Sequence, residues 1–169
     1  MLPDPLHPAV VHFPIVLATI LPLVALFGLL AVSRGTAPRR AWGYVAFAAF
    51  LVLAAAFTAV KTGEQEEETV EEVVDHDLIH DHEEAGERLQ LLAGIGFLVF
   101  VAGLSGGGLG RIARPLGFLA SLALAGQAYL VGRSGGELVY EHGAASAYVD
   151  STTAGGAPAT RAGDAADDD

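Results

Sequence analysis

The 169-residue chain is 52% hydrophobic and has a mean hydropathy of +0.46, which is too apolar for a soluble domain with exposed polar faces. Its net charge of −11 is concentrated in residues 64–88 and in the C-terminal tail, and the lack of a basic patch argues against nucleic-acid binding. Cysteine is absent, which excludes disulfides, iron–sulfur clusters, covalent c-type haem and cysteine nucleophiles. Any metal must therefore be bound by His, Asp, Glu or backbone oxygen.

Four long apolar segments predict an all-α protein, a four-transmembrane-helix bundle formed by residues 1–145. The N-terminus lacks the basic region and the cleavage site of a signal peptide. Pro22 predicts a kink in the first span, and the third span is so short that its helix should begin within the preceding connector. The predicted spans are about 9–32, 41–60, 89–104 and 115–131.

Charge bias predicts the orientation of these spans. The connectors on one side are basic, and by the positive-inside rule they face the cytoplasm, so that both termini lie outside. With an even number of spans, all six histidines then reach the same outer face. The arginines that carry this bias are Arg34, Arg39, Arg40, Arg111 and Arg114.

The acidic connector, residues 64–88, has the apolar spacing of an amphipathic helix. We expect this helix to lie along the outer surface or to continue the third span. On it, His76 and His80 are one turn apart, a spacing suited to a divalent metal. The alternative is a solvated acidic helix on which both histidines are incidental.

Three further histidines are candidate ligands at the membrane surface. His82 directly precedes the third span and can turn into the bundle, where Glu83 could orient an imidazole. His12 lies about one turn inside the first span and is expected to face the bundle interior. His7 lies outside that span and suits a capping or interfacial role.

His142 follows a glycine-rich segment after the fourth span. The glycines of residues 132–136 predict a tight turn that folds back across the bundle mouth, anchored by the apolar residues 138–140. This turn would bring His142 over the site formed by His12 and His82. A solvated histidine in a loose loop is the alternative.

Five pieces of the sequence stand out for their residues and their positions: Leu6-His7-Pro8, Val11-His12-Phe13-Pro14-Ile15, Thr62-Gly63, His82-Glu83 with Gly86, and the run from Gly135 to Gly143. With these pieces, residues 5–145 resemble a family of bacterial integral membrane proteins known as domain of unknown function 2231. The resemblance implies a four-helix protein of the bacterial cytoplasmic membrane, and the joining of some relatives to cytochrome-like domains favours a redox or haem role.

Residues 146–169 are rich in Ala, Gly, Thr and Asp and are expected to form a disordered acidic tail.

We therefore expect a membrane protein whose outer face binds haem b or a divalent metal, with a possible electron-transfer role. The alternative is a non-catalytic subunit that docks a cytochrome or another membrane-complex subunit through its acidic helix. Proton conduction is disfavoured by the scarcity of ionisable residues within the spans, and no complete catalytic set is present. The expected haem ligands are His12, His82 and His142; the expected metal ligands are His7, His12, His76, His80, His82, Glu83 and His142. The oligomeric state is left open.

Overall fold

A computed structural model describes residues 5–149, and all of their regular structure is helical. Four of its helices are long and apolar enough to cross a membrane, when α1 and α2 are counted as one. The predicted all-α fold with four spans is confirmed. The elements are α1 (His7–Val10), α2 (His12–Ser33), α3 (Pro38–Val70), α4 (His76–Ala102), α5 (Gly107–Tyr140) and a 3-10 helix (Ala144–Tyr148).

The four long helices form an up-and-down bundle. Helix α2 packs against α3 and α5, and α4 packs against the same two helices. The basic end of the bundle consists of residues 33–42 and 103–114, and the histidine end consists of residues 5–12, 61–88 and 132–149. Consecutive long helices run in opposite directions, so both short basic connectors lie at one end.

The interior of the bundle is rich in alanine, whose small side chain lets helix backbones approach closely in lipid, where the hydrophobic effect does not drive helix association. A few large side chains, including Trp42 and Phe100, are also buried. Many other large apolar side chains, such as Phe13, Phe27 and Leu98, point outwards. This pattern is that of a protein surrounded by lipid. Buried alanines of the core include Ala18, Ala25, Ala49, Ala56, Ala93 and Ala128.

The helices extend well past their apolar stretches. Helix α3 has 33 residues, so that it is about 50 Å long at 1.5 Å per residue, against roughly 30 Å for the hydrocarbon core of a bilayer. Its last turns carry the glutamates of residues 64–68. The histidine end therefore projects beyond the apolar band.

The acidic connector does not form a separate helix. Its first part continues α3 to Val70, and its second part begins α4 at His76, where the Asp75 side chain accepts a hydrogen bond from the backbone N–H of Asp77 at 3.0 Å. The prediction that it continues the third span holds from His76 onwards. The break occurs because Asp75 caps a new helix and Val74 is buried in a small cluster with Ile79, Leu138 and Ala144, here called the outer core.

The C-terminal turn was predicted in the wrong place. Helix α5 runs without a break through the glycines of residues 132–136 and ends at Tyr140. The chain reverses at Gly143, whose φ of 72° is in the left-handed region that glycine tolerates. Leu138 is buried, but Val139 and Tyr140 are exposed. Of the predicted tail, residues 146–149 are described and 150–169 lie outside the described residues.

Candidate functional site

Two histidines meet at the histidine end of the bundle. The ring centroids of His7 and His82 lie 6.3 Å apart, and the ring planes are inclined by 84°. Both residues are partly buried. Because His7 opens α1 and His82 belongs to the second turn of α4, the pair joins the first and third spans.

The His7 ring is fixed on helix α3. Its Nδ1 lies 3.0 Å from the carbonyl oxygen of Ala59 and 3.2 Å from Oγ1 of Thr62. A carbonyl oxygen can only accept a hydrogen bond, so Nδ1 carries the proton. In the neutral ring, Nε2 then keeps its lone pair.

Gly63 makes this position possible. A Cβ atom on Gly63 would lie 3.1 Å from Cε1 of His7, which is tighter than most real contacts. The Thr62-Gly63 pair thus supplies a polar contact to the imidazole and the room in which the ring lies.

Helix α5 fixes the His82 ring in the same way. Nδ1 of His82 lies 2.8 Å from Oγ of Ser134, and this hydroxyl donates its single proton to the carbonyl of Val131 at 3.1 Å. When this hydroxyl donates to Val131, its oxygen accepts from His82 Nδ1–H. In that tautomer the neutral His82 ring has its lone pair on Nε2, as His7 does.

Glu66 anchors the segment that carries His7. Its Oε1 accepts hydrogen bonds from the backbone N–H groups of Leu6 at 2.7 Å and His7 at 2.8 Å. Its Oε2 accepts one from the hydroxyl of Tyr148 at 2.9 Å. A single carboxylate thus ties the N-terminal segment and the 3-10 helix to α3.

The structure does not bring His12 and His142 to this pair. Both side chains are exposed, and within residues 5–149 no ring contact or side-chain hydrogen bond joins either of them to His82. The expectation that His12 faces the interior was wrong, because the side chain of His12 is exposed whereas that of His7 is partly buried. His142 stays outside because α5 continues past the expected turn.

Glu83 is partly buried, but no hydrogen bond among the described residues links its carboxylate to an imidazole. His76 and His80 do stack, with ring centroids 6.2 Å apart and planes inclined by 11°. Both are exposed, and Nδ1 of His76 lies 2.6 Å from Oε1 of Glu71. His76, His80 and Glu71 thus form a separate exposed group that does not include His7 or His82.

One group of three possible metal ligands is found in the described part of the chain. The ligand atoms of Glu67, Glu71 and His76 all lie within 4.8 Å of one another. The group is largely exposed, and exposed acidic side chains often gather in this way without an ion. It fits the expected solvated helix face as well as it fits a metal site.

Sequence reasoning missed the residues that hold the histidine rings, namely Thr62, Gly63, Ser134 and Gly135, and also Glu66. Two of the five motif pieces include some of them, namely Thr62-Gly63 and the run from Gly135. A short polar residue precedes glycine at both ring contacts, but it also does so at Ser105-Gly106, where nothing lies within 4 Å of the glycine. The dipeptide alone therefore does not identify an imidazole contact.

These features define a multi-span helical membrane protein with a histidine pair at its polar end. The chain belongs to the family of predicted membrane proteins DUF2231, whose model matches residues 3–147. The resemblance seen in the motifs is thereby confirmed. No curated protein and no solved structure matches the chain.

Proposed function

We propose that this protein is a membrane metal-binding protein whose two protein ligands are Nε2 of His7 and Nε2 of His82. One observation carries the proposal: each Nδ1 lies within hydrogen-bonding distance of an oxygen atom on a neighbouring helix, which leaves Nε2 as the nitrogen that can bind a metal. Metal-binding histidines usually donate their second ring nitrogen to a carbonyl, carboxylate or similar acceptor, which fixes the tautomer and the ring orientation.

The spacing of the rings suits one shared ion. With metal–nitrogen bonds of about 2.0–2.1 Å, two imidazoles on one ion have ring centres roughly 5 to 6.5 Å apart, from tetrahedral to linear geometry. The observed separation is 6.3 Å. The separation is therefore compatible with one ion shared by both rings, at the linear end of this range.

The ligand type favours a transition metal. Imidazole suits zinc, copper, iron and nickel, whereas magnesium and calcium prefer oxygen. Two protein ligands also leave coordination positions open to water or to a further ligand. The electron-transfer role would require copper or iron among these metals.

Haem b is the less favoured form of this proposal. Haem needs a flat apolar slot beside its axial histidines. The apolar groove between α2 and α3 is lined by Val10, Phe13, Leu17, Leu51, Ala54, Ala55 and Thr58, and no histidine borders it. A bare metal ion needs no such slot, so a non-haem ion fits the surroundings of His7 and His82 better.

The test is purification in mild detergent, followed by elemental analysis, an absorption spectrum and titration of the metal-free protein with Zn²⁺, Cu²⁺, Ni²⁺ and Fe²⁺. We expect one ion per chain in the wild type, and a large loss in His7→Ala and His82→Ala. His12→Ala and His142→Ala are matched controls, because both side chains are exposed and should leave binding unchanged. A Soret band would select haem b instead.

The proposal fails if the metal-free wild type binds none of these ions, or if the His7 and His82 variants bind as tightly as the wild type. If only His12→Ala loses binding, His12 is a ligand, as the sequence predicted.

The second candidate is a docking subunit, favoured by the exposed carboxylates of the histidine end. Glu68, Glu71, Glu72, Asp77 and Asp81 are all exposed at this end. A basic partner such as a cytochrome would bind there through charge, with salt-dependent affinity. Charge reversal of Glu68 and Glu72 should weaken such binding, whereas His7→Ala and His82→Ala should leave it intact.

A further inference from the structure

The basic residues at the two ends of the bundle differ in their partners. At the histidine end, each basic side chain that the structure describes is paired with a glutamate of its own helix. The pairs are Lys61–Glu64, Arg88–Glu84 and Arg133–Glu137. The positive charges of this end are thus neutralised within the protein.

The arginines of the basic end have no such partners. Arg34, Arg39 and Arg40 and also Arg111 are exposed, and none of their side chains makes an ion pair or hydrogen bond within residues 5–149. Residues 5–63 and 88–136, which include this whole end of the bundle, contain no Asp or Glu. Within the described residues, four positive charges therefore have no acidic partner.

Arg114 has a different role from these four. It is only 6% exposed, and its guanidinium donates to the carbonyls of Gly103 at 2.9 Å and Ser105 at 3.3 Å. It caps the C-terminal end of α4 with a positive charge, which the helix dipole favours. It holds the second basic connector in place.

The two basic connectors form one surface. Trp42, just after the first connector, donates from Nε1 to the carbonyl of Phe100 at 3.0 Å and lies directly on Gly103, at the start of the second connector. Their arginines therefore surround the same end of the bundle. Exposed apolar side chains, among them Tyr44, Leu109 and Ile112, lie close to these arginines in the sequence.

We propose that Arg34, Arg39, Arg40 and Arg111 bind the headgroups of anionic phospholipids in the adjacent leaflet. A guanidinium binds phosphate with two parallel hydrogen bonds. A zwitterionic lipid brings its own positive group, whereas an anionic lipid supplies the net negative charge that this end of the protein lacks. The partner is therefore an anionic lipid such as phosphatidylglycerol.

The test uses the full chain, freed of lipid in detergent, and compares binding of phosphatidylglycerol and phosphatidylcholine by native mass spectrometry and by thermal shift. The wild type should prefer phosphatidylglycerol, and this preference should fall as salt is added. Single variants Arg39→Gln and Arg111→Gln should each lose about fivefold in affinity, since each arginine near an anionic surface contributes on the order of 1 kcal/mol. Single substitutions are used because a variant that lacks all four arginines could fail to fold.

The matched control is the triple variant Lys61→Gln, Arg88→Gln, Arg133→Gln, which removes positive charges already paired at the other end. It should retain the wild-type preference. The proposal is overturned if the wild type binds both lipids equally, if the single variants bind phosphatidylglycerol like the wild type, or if the control loses the preference to the same extent.

Discussion

The imidazole of His82 lies directly on Gly135, where a Cβ atom would be only 3.0 Å from Cε1 of the ring. Helix α5 passes this point without interruption. The glycine therefore serves close packing and not chain reversal. Because the neighbouring residue, Ser134, holds the same ring by its Nδ1, the two adjacent residues together set the position of His82.

Substitution Gly135→Ala should shift the His82 ring by a few tenths of an ångström and lower metal affinity several-fold, because the added methyl group needs the space that the ring occupies. Gly136→Ala is the control, since nothing lies within 4 Å of its Cβ position. Both changes improve helix propensity by about 0.5–1 kcal/mol. Metal titration should therefore give a lower affinity for Gly135→Ala than for Gly136→Ala. Equal affinities would show that the contact between Gly135 and His82 does not matter for binding.

Substitution Ser134→Ala should lower metal affinity about 10- to 100-fold, the usual effect of removing a group that orients a metal-binding histidine. Without the hydroxyl, the His82 ring can rotate and can place its proton on Nε2. Ser33→Ala removes a comparable hydroxyl–carbonyl hydrogen bond at the opposite end and serves as the control. Isothermal titration with Zn²⁺ measures the difference; an unchanged dissociation constant in Ser134→Ala would contradict this role.

Substitution Glu66→Ala should destabilise the histidine end, because two backbone N–H groups and the Tyr148 hydroxyl lose their acceptor. Hydrogen bonds to a charged group contribute about 1.5–3 kcal/mol each, less where water can replace them, so we expect a total loss of a few kcal/mol. Hydrogen exchange at Leu6 and His7 should accelerate. Glu68→Ala, at an exposed position two residues on, should change neither the exchange nor the stability.

At the basic end, Gly103→Ala should be strongly destabilising. A Cβ atom there would overlap Nε1 of Trp42, which is fully buried and donates to the carbonyl of Phe100. Overpacking of this kind costs about 1–3 kcal/mol or more. Gly94→Ala, with nothing within 4 Å, should be neutral or stabilising. Melting temperatures in detergent should differ accordingly, and similar values for both variants would show that the indole can move aside.

The spans could be predicted from sequence because length and apolar content alone decide whether a helix can cross a bilayer. The choice between His7 and His12 could not, because five residues separate them by about 140° around the first span, and the sequence does not show which of these faces packs against α3. The continuation of α5 through residues 132–136 could not be predicted from the sequence either. Glycine has a low helix propensity, which favoured a turn in the prediction. Here Gly135 lies in a helix and leaves room for the His82 ring, and helix propensity takes no account of such a tertiary contact.

The outer core, formed by Val74, Ile79, Leu138 and Ala144, is stabilised by a different force from the one that holds the spans together. The spans are held together by close contact between small residues in lipid, where the hydrophobic effect contributes little to helix association. The outer core joins the turn before α4, the outer ends of α4 and α5 and the 3-10 helix, and the hydrophobic effect in water holds it together. Urea should therefore loosen the region around His7 and His82 before it separates the spans, whereas a change of detergent should act mainly on the spans.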